Sequence, residues 1–251
     1  MDGGQVTVHF IGAGPGAADL VTLRGRNLIR ASKVCVYAGS LVSTELLAWC
    51  PRGARLVDSS RLDLDAILDV LINAHRSGSD VARLHSGDPS LFSAMAEQMR
   101  RLDAAGVPYD VTPGVPAYAA AAATLARELT VPGVGQTVVL SRISSASTPM
   151  PDGEDLSSLA ALGTTIVLHL AVQHIEEVVA ALLAHRAAST PVAVVARASR
   201  PDELILRGTL ADIAEQVRAA AIVRSAVIIV GDVLTADQFC DSHLYSPQRP
   251  R

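Results

Sequence analysis

Lysine is almost absent from this chain: Lys33 stands alone against twenty arginines. Aromatic residues are scarce too, with one Trp, three Phe and four Tyr among 251 residues. The three cysteines, Cys35, Cys50 and Cys240, are odd in number, widely spaced and form no C-x-x-C, which argues against both a disulfide framework and a zinc site. A net charge of −4 gives a nucleic-acid partner no global electrostatic support, so none is expected. Long apolar runs are missing. The longest stretch without Asp, Glu, Lys or Arg, 156–175, holds Ser157, Ser158, Thr164, Thr165, Gln173 and two histidines, so no membrane span is expected. The first ten residues carry charge and a β-pattern rather than an apolar signal core, and a cytoplasmic location is the expectation. The arginine bias follows first from genome base composition; guanidinium forks would also suit a ligand with several carboxylates.

What the chain has is apolar residues, 49% of the total, enough for one large or two small domains with a sizeable core. Its organising stretch is a strand, Val6 to Ile11, followed by Gly12-Ala13-Gly14-Pro15-Gly16 and a helical pattern from about Asp19. Gly12, Gly14 and Ala17 satisfy a loose dinucleotide fingerprint. Two details oppose it. Pro15 removes a backbone N–H where a pyrophosphate wants donors, and no ribose-binding acid occurs between Asp19 and Glu45.

Strands are predicted at 6–12, 33–38, 54–58, 81–86 and 109–112, alternating with helices, which implies a mostly parallel sheet. Leu64, Ile67, Leu68, Leu71 and Ile72 form a helical stripe behind a cap at Asp63. Phe92, Met95, Met99 and Leu102 form another, with Asp88 as its N-cap and Pro89 at its first position. A small-residue helix is predicted at 118–125. The strands ending near residues 12, 86 and 112 all lead into glycine-containing turns, and ligands of open α/β sheets sit outside carboxyl strand ends.

Pro113, Gly114, Pro116, Pro132, Gly133 and Gly135 mark a transition to a second α/β set, with strands at 136–141, 164–170, 191–197, 203–207 and 225–231. The third and fourth of these read as a hairpin, so the second sheet should be mixed. Residues 144–155 read as a loop, and the polar tail after Asp241 as surface. Domains are expected at 1–114 and 115–251. No H-x-x-x-H or H-E-x-x-H pairing occurs, His169 and His174 read as structural, and no metal is expected.

Taken together, G-A-G-P-G-x-x-D-L-x-T at 12–22, S-G-D-P at 86–89, P-G-V at 113–115 and P-V-A-V-V at 191–195 resemble the tetrapyrrole methyltransferase family along essentially the whole chain. Tyr37 to Val42, Glu128 to Pro132, Gln136 to Arg142, Arg200 to Glu203 and Ser242 to Tyr245 are similar to the branch acting at C11 of precorrin-4 in cobalamin biosynthesis. The resemblance implies two α/β domains with S-adenosyl-L-methionine in a cleft between them, a small tetrapyrrole substrate and a homodimer. By matching motifs it places cofactor contacts on Pro15, Ser86, Gly87, Asp88, Leu91, Pro116, Ala117, Leu170 and Ala198. The loop of Gly12, Gly14 and Gly16 would face the tetrapyrrole. Ala17 stands where many relatives have Asp, so no catalytic acid is assigned there. The chemistry asks for in-line positioning and exclusion of water rather than for a nucleophile or a metal. The alternatives are methylation at another ring position or of cobalt-precorrin-4, a ribosomal-RNA methylating relative, a nicotinamide-dependent dehydrogenase, or a non-catalytic tetrapyrrole-binding protein.

Overall fold

The β-branched runs form strands and the spaced apolar stripes form helices, in two units that meet in sequence between Ala120 and Ala121. The structure, a computed structural model, describes residues 6–144 and 149–239. Cys240, Ser242 to Tyr245, the rest of the tail, and residues 145–148 of the expected loop lie outside the described residues. The division falls inside the helix Ala117–Leu125.

The first unit contains strands β1 (Val8–Gly12), β2 (Val34–Tyr37), β3 (Arg55–Asp58), β4 (Val81–His85) and β5 (Tyr109–Thr112). They pair in the order β3-β2-β4-β1-β5, every pair parallel. Between them run α1 (Leu23–Ala31), α2 (Thr44–Leu47), α3 (Leu64–Arg76) and α4 (Met95–Ala104). Because side chains alternate along a strand, both faces of this sheet bury apolar residues. Val8, Phe10, Val36 and Val81 pack with Leu68 and Leu71 of α3 and Leu102 of α4. Ile11, Cys35 and Leu84 pack on the opposite face with Ile29 of α1 and Leu46 of α2. The Asp63 cap is present: its Oδ1 accepts from the Ala66 amide at 2.8 Å.

The helix α5 (Ala117–Leu125) leads into β6 (Val138–Ser141), α6 (Leu156–Ala160), β7 (Thr165–Leu168), α7 (Ile175–Leu183), β8 (Pro191–Ala196), β9 (Leu204–Thr209), α8 (Ile213–Ala219) and β10 (Ala226–Val230). This second sheet is ordered β6-β7-β10-β8-β9 and is mixed. β8 and β9 form the expected antiparallel hairpin, and β10 runs antiparallel between β7 and β8. Its core joins Ile166, Leu168, Val194 and Ile228 to Val178, Leu182, Ile213 and Val217.

Two helix starts differ from expectation. The helix after the first glycine turn begins at Leu23, capped by Thr22 Oγ1 accepting from the Gly25 amide at 3.1 Å; Ala18–Leu20 is a single 3₁₀ turn. No α-helix therefore opens directly at Gly12–Gly16, as a dinucleotide fingerprint requires. The helix expected behind Asp88 begins instead at Met95, and Phe92 is exposed, outside it, at φ 51°.

Candidate methyl-donor site

The three glycine turns predicted at strand ends converge in the first unit, because β1 lies between β4 and β5. Gly14 and Gly87 exchange backbone hydrogen bonds, Gly87 N to Gly14 O at 2.7 Å and Gly14 N to Gly87 O at 3.2 Å. A Cβ on Gly12 would lie 2.4 Å from the Gly114 nitrogen, and one on Gly114 would lie 2.2 Å from the Gly87 carbonyl oxygen. Gly12 and Gly114 are therefore required by backbone touching backbone. Gly87 is different: its φ is +67°, and a Cβ there would come no nearer than 3.6 Å, to Pro116 Cα. Pro15 is buried in this junction, Gly16 is half-buried and Ser86 is exposed.

Asp88 clamps two of these turns. Its Oδ2 accepts from the Gly114 amide at 2.8 Å, and its Oδ1 accepts from the Ser90 amide at 2.8 Å and from the Ser90 hydroxyl. It is thus an Asx-turn acceptor and a cross-link between β4 and β5 ends, not the helix cap expected from its Asp-Pro context. Partial burial alone would raise its pKa, but the Ser90 hydroxyl and the Gly114 and Ser90 amides outweigh it and hold the carboxyl below its ordinary value. Leu91 N donates to Asp88 O at 3.2 Å, closing a turn over 88–91 directly after Ser86 and Gly87, with Pro116 and Ala117 beside Gly87.

In the second unit, Leu170 and Ala198 both follow carboxyl strand ends, of β7 and β8. Leu170 is 67% exposed with φ 55°. That left-handed conformation costs a non-glycine residue about 1–2 kcal/mol. Ala198 is buried between Arg197 and Ser199, whose φ values are 52° and 65°. Glu203 holds that turn, accepting from Ser199 N at 2.6 Å and from Thr124 Oγ1 at 3.1 Å. Strain at ligand-facing turns is a recurrent functional signature. At the other end of the same sheet, a cavity of about 160 Å³ is lined by Gly135, Thr164, Thr165, Arg186 and Asp232. It gathers none of the expected site residues.

Residues 7–214 match the profile of the tetrapyrrole (corrin/porphyrin) methylases. The chain belongs to the tetrapyrrole methylase family. It is 61% identical over 246 residues to a precorrin-4 C(11)-methyltransferase of Rhodococcus erythropolis, covering 98% of this chain and 99% of that protein. The X-ray structure of the cobalt precorrin-4 methyltransferase CbiF superposes with a TM-score of 0.90 at 36% identity, covering 93% of this chain and 98% of that one. A uroporphyrin-III C-methyltransferase of Thermus thermophilus, complexed with S-adenosylhomocysteine, gives a TM-score of 0.77 at 28% identity, covering 92% and 99%.

This methylase presents mainly backbone at the three converging strand ends of its first unit. Among the described residues no group of three His, Cys, Asp or Glu is placed to hold a metal, and no helix is long and apolar enough to cross a membrane. His174 pairs with Glu177 at 3.1 Å, three residues along. Cys35 and Cys50, far apart in sequence, are hydrogen-bonded thiols: this bond and burial push the Cys35 pKa up, while the same bond draws that of Cys50 down.

Sequence reasoning missed Arg83, His85 and Gln98, all buried. His85 ends β4, immediately before Ser86. Burial first, then the Arg83 charge, lowers its pKa to about 3, so it is neutral near pH 7. The Ser93 backbone opposes this shift in part, and Nε2 has no hydrogen-bond partner among the described residues. No sequence signal marks these residues, since a charged or imidazole side chain within an apolar strand is indistinguishable from one at an exposed strand end.

Proposed function

We propose that this methylase transfers a methyl group from S-adenosyl-L-methionine to C11 of precorrin-4, giving precorrin-5 in cobalamin biosynthesis. The observation that carries the reading is the full-length similarity to the Rhodococcus enzyme, which spans both units. Cobalt-precorrin-4 is the second reading, favoured by the likeness to CbiF. When bound, the donor supplies a methyl already activated on a sulfonium, so the carbon–sulfur bond breaks as the new carbon–carbon bond forms and S-adenosylhomocysteine is left.

The residues present fit such a donor. The turn 86–91 offers neutral backbone groups and one carboxylate, Asp88, held ionised by its hydrogen bonds, and no cation within the turn opposes a sulfonium. Gly87 keeps its approach free of a side chain. Ser86, Gly87, Asp88, Leu91, Pro116, Ala117 and Pro15, with Leu170 and Ala198 from the second unit, make up the proposed donor contacts. Gly12, Gly14 and Gly16 are the proposed substrate-side loop. These groups orient and exclude water; rate arises from holding donor and acceptor carbon in line. A cytoplasmic homodimer without nucleic-acid or membrane partners completes the proposal. Light scattering that gives a monomer mass would remove the dimer.

The test is direct. S-adenosylhomocysteine should raise the thermal midpoint, by about 2.7 kcal/mol of stabilisation at a hundredfold excess over its Kd, while NAD does nothing comparable. With labelled donor, precorrin-4 should gain its methyl at C11 by NMR. A midpoint shift with a nicotinamide only, or a methyl at another carbon, overturns the reading. Faster turnover of cobalt-precorrin-4 would install the second one.

A further inference from the structure

Arg83, at the centre of β4, buries its guanidinium in the first unit with only 5% exposure. A cation in such a place usually faces a carboxylate. Here its hydrogen-bond partners are neutral: Nε donates to Gln98 Oε1 at 3.1 Å and Nη1 donates to Ser59 Oγ at 2.9 Å. Burial lowers its pKa to about 10, which leaves it charged at neutral pH.

Both partners relay the contact outward. Gln98 Nε2 donates to the Ala94 carbonyl at 3.0 Å, and Ser59 Oγ donates to the Tyr37 carbonyl at 3.0 Å. Tyr37 opens the stretch 37–42, and Ala94 closes the stretch 88–94. Two carbonyls of the latter accept from side chains: Pro89 from the Ser93 hydroxyl and Ala94 from Gln98. Phe92 and Ala94 are both held at positive φ, 51° and 52°. An uncapped non-glycine residue adopts that conformation only when its surroundings over-determine it.

We propose that Arg83 and Gln98 are positioning residues: the guanidinium fixes the Gln98 amide, and the amide holds the Ala94 carbonyl inward, setting the backbone of 87–91 that receives the methyl donor. This rests on the donor site proposed above. Neither side chain touches the donor. The alternative is that Gln98 does no more than satisfy a buried arginine.

Gln98→Glu separates the two. A carboxylate keeps, and strengthens, the bond to Arg83, but it has no N–H for the Ala94 carbonyl and repels it. If Gln98 only satisfies Arg83, the variant binds S-adenosylhomocysteine like wild type. If it positions the turn, calorimetry gives a Kd raised about fivefold or more, as for a site that loses preorganisation, with a thermal midpoint no lower than wild type. The amides of 90–95 then exchange with deuterium faster while those of β1 and β4 do not. Gln98→Asn, an amide one methylene too short to span both partners, should move affinity and exchange in the same direction should the glutamate variant not fold. Unchanged affinity and unchanged exchange in a folded variant overturn the proposal. Failure of the donor site itself looks different: wild type would not bind S-adenosylhomocysteine, or a folded Gly87→Val would bind it unaltered.

Discussion

Replacing Gly114 by alanine adds one methyl at the tightest point of the junction. That carbon would stand 2.2 Å from the Gly87 carbonyl oxygen, 2.7 Å from Gly12 Cα and 2.9 Å from the Gly12 carbonyl carbon. Each obstacle is backbone of a neighbouring strand end, so no flexible side chain can swing aside. Ordinary contact needs about 3.5 Å, and the β5 end must therefore retreat by more than about 1 Å. Overpacking of that kind costs about 1–3 kcal/mol. The retreat also stretches the 2.8 Å bond from the Gly114 amide to Asp88, worth about 1 kcal/mol at this partly exposed site. A total of about 2–4 kcal/mol lowers the thermal midpoint by about 4–8 °C in a chain of this size. Gly53→Ala is the control: its φ of +82° is strained for alanine, but nothing among the described residues lies within 4 Å of the added carbon. It should cost about 1–2 kcal/mol and leave the affinity for S-adenosylhomocysteine untouched, whereas Gly114→Ala weakens it. Thermal unfolding and calorimetric titration of both variants decide. A Gly114→Ala protein with a wild-type midpoint, or with the affinity of Gly53→Ala, would refute the account of touching backbones.

Other outcomes follow from single side chains. Asp88 has a folded pKa below the ordinary carboxylate value, so its contribution is complete above about pH 5 and is lost as pH falls through the folded pKa. Denaturant titrations should show wild type losing stability relative to Asp88→Asn below about pH 4, and parallel curves would show that the ionised form is not what Ser90 and Gly114 bind. Cys50, with its lowered pKa and partial exposure, should react with iodoacetamide before the fully buried Cys35, which becomes reactive on unfolding. Peptide mapping that finds Cys35 labelled first in folded protein would contradict the geometry.

Where a feature rests on neighbours in sequence, it was legible. The five β-branched runs of each half became the ten strands, Asp63 caps α3 as its position promised, and the 191–207 hairpin formed. The convergence of three glycine turns was legible as a coincidence of strand ends. Its cause, the order β4-β1-β5, was not. Asp88 shows why the remainder was hidden: Asp-Pro reads alike before a helix and in an Asx turn, and the Gly114 amide that decides between them is remote in sequence. The strained residues Phe92, Ala94, Leu170, Arg197 and Ser199 carry no glycine to announce them. The Arg83 relay is equally silent, because Ser59, just past the end of β3, and Gln98 of α4 reach it from segments remote in sequence.

The strand order of the first unit also bears on how the chain is made. β1 leaves the ribosome ahead of the other four strands of its sheet, yet both of its partners, β4 and β5, follow after β2, β3 and the helices between. Until Val81–His85 emerges, Val8, Phe10 and Ile11 have no sheet to enter and remain an exposed apolar edge, the kind of segment that chaperones hold and that aggregates when unprotected. Closing so long a loop is slow relative to local pairing. A nascent chain that stops short of Tyr109–Thr112 lacks the third glycine turn altogether. During synthesis, then, retention of S-adenosylhomocysteine should not begin before β5 has cleared the exit tunnel, and with Leu170 and Ala198 among the proposed contacts it should be complete only after β8 has followed, which makes ligand retention by stalled chains of graded length a clock for vectorial folding.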